Sequence, residues 1–183
     1  MKNSRMIAIA LAMVFLMLSC TKDHGNIDVS WKLVKNQYKG TNQHKGELTV
    51  TNNSRYTLDN KNWEYYFSWF RSVRNTDGSD KVGGETINGD YSRLFPLESF
   101  PELKPGESIT FPLVGTHYAM NFTDAPTGGY FVVKRPLGKE IIINSGDPGV
   151  LPFPEGEAYK RSAADKIGIE SAADRYGQNK ELK

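Results

Sequence analysis

Cysteine is almost missing from this chain. Its 183 residues include one, Cys20, so an internal disulfide is excluded. Histidine is scarce too. His24, His44 and His117 are scattered without the spacing of a metal-ligand set, and each reads as a surface or loop residue. There is no phosphate loop and no Gly-x-Ser-x-Gly elbow. Gly83-Gly84 has no βα unit around it and is not a nucleotide fingerprint. Long Ala/Leu/Glu runs are lacking, so nothing argues for a helical bundle. Aromatic and β-branched residues are plentiful instead, with 17 Gly and 9 Pro. That balance predicts an all-β domain.

The first twenty residues stand apart. Lys2 and Arg5 precede Met6–Leu18, an apolar run of thirteen residues. A bilayer-spanning helix needs ~20. Ser19-Cys20 and the polar Thr21-Lys22-Asp23 follow. This pattern reads as a bacterial lipoprotein signal peptide over residues 1–19, with Cys20 as the lipidated residue. More than one acyl chain is needed for a stable anchor. Removing the signal takes Lys2 and Arg5 with it and leaves 21 basic against 21 acidic side chains. Nucleic acid is therefore not an expected partner, because phosphate binding needs a clustered positive excess. Since no Asp directly follows Cys20, the expected address is the bacterial cell envelope, lipid-anchored at the outer membrane.

After a tether over 20–26, the period-2 signature of half-buried strands appears. Ile27, Val29, Trp31 and Leu33 alternate with polar residues, as do Leu48 and Val50 within Glu47–Asn53. Arg71–Asp80 breaks the pattern and holds the turn dipeptide Asp77-Gly78. Gly83–Gly89 is Gly-rich, and Asp90–Leu97 reads as a short strand or an irregular crossing. Pro105-Gly106 is a strong turn ahead of a strand over Ser108–Val114. His117–Phe122 is a further candidate strand, and Tyr130–Lys134 and Glu140–Asn144 close the set. Short strands between Gly/Pro/Asn turns predict an antiparallel β-sandwich, immunoglobulin-like or like a carbohydrate-binding module, over 27–145. Residues 146–183 read as a C-terminal linker, with one weak helix around Ser162–Lys166.

The stretch "NWEYYFSWF", residues 62–70, packs six aromatic rings into nine positions. Alternate residues of a strand point to opposite faces. Trp63, Tyr65, Phe67 and Trp69 share one uniformly aromatic face, which is expected in the core. Glu64, Tyr66, Ser68 and Phe70 share the other. Sugars present apolar C–H faces that flat rings cover, while nearby polar groups take the hydroxyls. The candidate sugar-binding residues are therefore Tyr66 and Phe70, with Glu64 as polar neighbour, and Trp31. No catalytic residue, metal site or cofactor is assigned, because most carboxylates sit beside turns or alternate with apolar positions.

The order of short motifs adds to this. "WEYYF" (Trp63–Phe67) is followed by Ile87-Asn88-Gly89-Asp90 and Leu94-Phe95-Pro96. Leu103-Lys104-Pro105-Gly106-Glu107-Ser108, Thr123-Asp124-Ala125-Pro126 and Gly129-Tyr130 come next. This ordered set resembles the N-terminal carbohydrate-binding-type domain of chitobiases, the bacterial family-20 β-N-acetylhexosaminidases. "SAADRYGQN" (Ser171–Asn179) resembles the connector before their catalytic region. The resemblance covers Ile27–Asn179. It implies a non-catalytic sandwich whose partner is an N-acetylglucosamine-containing glycan or chitin-like polysaccharide, with a hydrolase domain as a further partner. The family's catalytic Asp-Glu pair has no counterpart here, since the chain holds no Asp-Glu dipeptide. The expectation is a truncated or split enzyme. Two alternatives stay open: a spacer without sugar affinity, or the N-terminal fragment of an active hexosaminidase.

Overall fold

The structure, a computed structural model, describes residues 23–153. The signal segment, Cys20 and the helix expected around Ser162–Lys166 lie outside the described residues.

Alternation builds the strands. β1 (Gly25–Asn36) buries Ile27, Val29, Trp31 and Leu33, and β2 (Gln43–Ser54) buries His44, Leu48, Val50 and Asn52. β3 (Trp63–Ser68) buries Trp63, Tyr65 and Phe67, and Trp69 just past its end is buried too. The remaining strands are β4 (Val73–Asn75), β5 (Val82–Asn88), β6 (Tyr91–Pro96), β7 (Ser108–Thr116), β8 (Thr127–Lys134), β9 (Glu140–Gly146) and β10 (Gly149–Val150). They form two five-stranded sheets, ordered β10-β1-β2-β7-β4 and β5-β6-β3-β8-β9. Neighbours pair antiparallel, except that β10 runs parallel to β1. The chain is an all-β sandwich, as expected.

Aromatic rings fill the space between the sheets. Tyr65 stacks on Phe131 at 4.6 Å and on Phe67 at 5.1 Å, and Trp63 meets Phe100 at 5.1 Å. Each such ring contributes about 1.5–3 kcal/mol on burial. Gly129 on β8 faces this stack because a Cβ there would run into the Tyr65 ring. At one edge, Arg71 pairs with the buried Asp124 at 2.5 Å. Asp124 also accepts the backbone N–H groups of Met120 and Asn121, and its carbonyl takes the Trp69 indole N–H at 2.8 Å. The Thr123–Pro126 motif is thus a structural lock around Trp69.

Several expectations need correction. Trp31 is fully buried, edge-on to His44 at 6.0 Å and to Phe153 at 5.9 Å, so it offers no face to a sugar. Gly25 and Asn26 belong to β1, so the tether ends before them. Residues 149–150 add a strand beside Trp31, and Phe153 joins the core, so 146–153 belong to the sandwich and not to a linker. Arg71–Asp80 contains β4, and the Gly-rich segment is β5. His117–Phe122 is not a strand. Backbone φ at His117 is +56°, and Asn121 caps a short 3₁₀ turn over Phe122–Asp124.

His44 is not a surface residue. It is fully buried between Trp31 and Trp69, with Trp69 at 5.3 Å. Its Nδ1 donates to the His117 carbonyl at 2.9 Å. Burial pushes the imidazole down to about 4, against the pull of that hydrogen bond. An unfolded chain takes up this proton near pH ~6.5. Stability therefore falls as pH drops from about 6.5 towards 4, by up to about 3 kcal/mol, and this contribution levels off below. Urea unfolding at pH 7, 5.5 and 4 checks this. His44→Gln is expected to flatten that part of the slope, and equal slopes in both proteins would contradict the assignment.

Candidate functional site

The outer face of the β5-β6-β3-β8-β9 sheet carries the side chains that alternation turns away from the core. β3 contributes Glu64, Tyr66 and Ser68. Register then decides their neighbours. Tyr66 lies opposite Arg93 of β6 and Tyr130 of β8, and Ser68 lies opposite Tyr91.

Three tyrosines come together there. Tyr66 lies 5.6 Å from Tyr91 with planes 16° apart, and 5.3 Å from Tyr130 with planes 17° apart. The hydroxyls of Tyr91 and Tyr130 share a hydrogen bond at 2.5 Å. Tyr66 donates its own hydroxyl to the Glu64 carboxylate, along its own strand. The two outer rings thus lean in from the flanking strands and meet at their hydroxyls, both near-parallel to the Tyr66 plane. The result is an aromatic shelf of offset-stacked rings, in which Tyr66 and Tyr130 are half-buried and Tyr91 keeps 37% of its surface exposed.

Charges border the shelf in a closed set. Lys134 reaches Glu64 at 2.7 Å, and Arg93 reaches Glu64 at 3.5 Å and Glu85 at 2.5 Å. Arg93 also lies 5.2 Å over the Phe95 ring. Burial works against the Glu64 charge. The Lys134 and Tyr66 hydrogen bonds and the Lys134 and Arg93 charges outweigh it and hold the carboxyl below its ordinary value. The Glu64 hydrogen bond holds the Tyr66 phenol up. Burial, then the Tyr130 hydroxyl, pushes Tyr91 up to about 12. A glycosidic general acid needs a carboxyl held protonated. Glu64 is pushed the other way, and its carboxylate accepts hydrogen bonds from Tyr66, Lys134 and Arg93. Among the described residues no group of three His, Cys, Asp or Glu could hold a metal ion.

Of the sequence candidates, the structure brings Glu64 and Tyr66 together. Phe70 lies past the end of β3, 51% exposed, with the Arg71 guanidinium 4.3 Å over its ring. Trp31 is in the core, and Cys20 lies outside the described residues. Sequence reasoning did not assign Tyr91 and Tyr130 to the site. Both border turn motifs, and Tyr130 follows the Gly128-Gly129 pair, but only the register shows that they flank Tyr66.

Two layered sheets with an aromatic row on one outer face make this a sandwich domain of the carbohydrate-binding type. Residues 26–173 match the family described as "putative carbohydrate binding domain", and the chain belongs to that family. It is 25% identical over 174 residues to N,N'-diacetylchitobiase of Vibrio harveyi, covering 86% of this chain and 19% of that protein. The family-20 exo-β-N-acetylglucosaminidase of Vibrio harveyi, solved in complex with N-acetylglucosamine, superposes with a TM-score of 0.51 at 17% identity. That match covers 74% of this chain and 19% of that one. The chitin-binding domain of Chi18aC from Streptomyces coelicolor matches with a TM-score of 0.40 at 18% identity, over 58% of this chain and 90% of that one. The chain therefore spans about a fifth of the length of the Vibrio relatives.

Glu64 gives a test of the charge set. Its lowered titration means its contribution to stability is present above the usual carboxylate range and is lost as pH falls through the folded value. Glu64→Gln is expected to cost about 1 kcal/mol at pH 7. The gap to the parent should narrow as pH falls below the ordinary carboxylate range. Thermal unfolding at pH 7 and pH 3 checks this, and a gap that persists unchanged at pH 3 would contradict it.

Proposed function

We propose that the tyrosine shelf binds an N-acetylglucosamine-containing glycan, such as a chitin-like polysaccharide. The observation that carries this reading is the Tyr66–Tyr91–Tyr130 assembly on an open sheet face. Sugar rings lay their C–H faces on such surfaces. Glu64, Arg93, Lys134 and the paired hydroxyls supply donors and acceptors for hydroxyl and acetamido groups. The family membership and the similarity to N,N'-diacetylchitobiase support the sugar class. Tyr91→Ala and Tyr130→Ala are each expected to weaken retention on chitin about five-fold. Full retention in the double variant, or no retention of the parent protein, would overturn the reading.

The same proposal places the chain in the cell envelope, anchored through acyl chains on Cys20 at the outer membrane, with a hexosaminidase catalytic domain as its working partner. The apolar run before Cys20 supports the anchor, and the resemblance to chitobiase supports the partner. Labelled palmitate fed to expressing cells should enter the chain, and Cys20→Ser should abolish the label. Label retained in that variant would contradict the anchor.

One observation favours a spacer role beside or instead of sugar binding. β10 runs parallel to β1, with Val150 opposite Trp31. The described chain thus enters near His24 at one end of the sandwich and at Phe153 is heading towards the other. Phe153 packs on Trp31, midway along β1, so the six residues from Gly25 to Trp31 set Phe153 roughly 20 Å from the entry.

A further inference from the structure

The hairpin joining β8 to β9 carries an exposed leucine at its tip. Leu137 is 96% exposed, and φ is +66° there and +70° at Gly138. Asn, Asp and Gly are the usual occupants of such paired left-handed positions, because a larger side chain crowds its own backbone. The tip thus bears a steric cost and a solvation cost together at Leu137. Arg135 and Lys139 flank it, and residues 134–140 are all exposed. Arg135 N–H closes the turn on the Lys139 carbonyl at 2.7 Å.

This tip sits at the end of the sandwich where the described chain begins. Arg135 lies 5.3 Å over the Tyr56 ring, and Arg55 lies 5.6 Å from the same ring. The Tyr56 hydroxyl meets His24 Nδ1 at 2.5 Å. Arg55, Arg135 and Lys139 have no ion-pair partner among the described residues. Asp23 and Glu140 lie beside these residues in the chain, Asp23 is engaged by the Gly25 N–H, and Glu64 is engaged by Lys134 next to Arg135. His24 is four residues from Cys20, at most ~14 Å of extended chain.

We propose that this end is a membrane-contacting surface. Leu137 enters the headgroup boundary of an anionic bilayer, Arg135, Lys139 and Arg55 meet lipid phosphates, and Tyr56 lies at the interface. The inference rests on the Cys20 anchor proposed above. Charge and position select a lipid surface over a protein: unpaired cations flank one exposed apolar residue on a convex tip, beside the entry of the chain. Apolar insertion combined with cationic attraction is the physics of such contacts. It would hold the sandwich end-on, with the tyrosine shelf facing sideways.

The test uses the full chain, purified from the membranes of expressing bacteria. It is placed in vesicles of phosphatidylcholine alone or with phosphatidylglycerol, and amide hydrogen exchange is measured. Exchange across Arg135–Lys139 is expected to slow at least five-fold in the anionic vesicles. The Asp77-Gly78 turn, tied to Tyr38 at the other end by a 2.5 Å hydrogen bond, should be unaffected. Leu137→Asn combined with Arg135→Gln should remove the slowing, since Asn tolerates the left-handed backbone. Equal exchange in both vesicles would overturn the proposal. So would equal slowing at Asp77-Gly78, or slowing that appears only after extracted envelope proteins are added. Retention on neutral vesicles reads the acyl anchor separately. A chain that does not stay on them contradicts the anchor; the tip assignment then stands if anionic vesicles still protect the tip, and falls if they do not.

Discussion

Everything on the candidate face follows from the register of one strand. Trp63, Tyr65 and Phe67 must point inward, because no other arrangement buries three large rings on six residues. That choice forces Glu64, Tyr66 and Ser68 outward. A one-residue slip would bury the Glu64 charge and expose the core stack, at a cost of several kcal/mol. The pairing of β3 with β6 and β8 then fixes Tyr91 and Tyr130 on either side of Tyr66. The shelf is thus a by-product of core packing that holds its rings without a loop.

The charges around the shelf pair with one another. Glu64 takes Lys134, Arg93 and Tyr66, and Arg93 also takes Glu85. A surface with its charges paired suits a neutral ligand, which removes water from the rings without stranding an ion. It also suits a surface held stiff for its own sake, which is why the spacer reading has physical content. The two readings make different use of the same rings: one needs their faces accessible, the other only their mutual contact. Family membership favours the first, and the long axis of the sandwich is compatible with both.

Much of the fold was legible because alternation is a local signal. The inward set of β3 read directly from the residues, as did β1 and β2. The same alternation groups Trp31 with Ile27, Val29 and Leu33, so its burial was readable where a sugar role was expected. His44 likewise shares parity with Leu48 and Val50. β5 was hidden for a physical reason. A Cβ at Gly83 would lie 2.6 Å from the Phe95 ring and one at Gly84 2.6 Å from Leu94, so the neighbouring strand fills the space its side chains would occupy. β10 was hidden because two residues among prolines and glycines carry no period. Half of the site was also beyond local reading. Tyr91 and Tyr130 join Tyr66 through cross-strand register, which no spacing in the sequence displays.

The most direct test of the central claim is an NMR titration of the protein with chitin oligosaccharides, followed through the aromatic ring signals. The account predicts that the rings of Tyr66, Tyr91 and Tyr130 shift together and saturably, while those of the buried Trp31, Trp63 and Phe67 stay in place. Saturable shifts confined to another surface, or none up to millimolar sugar, would contradict it.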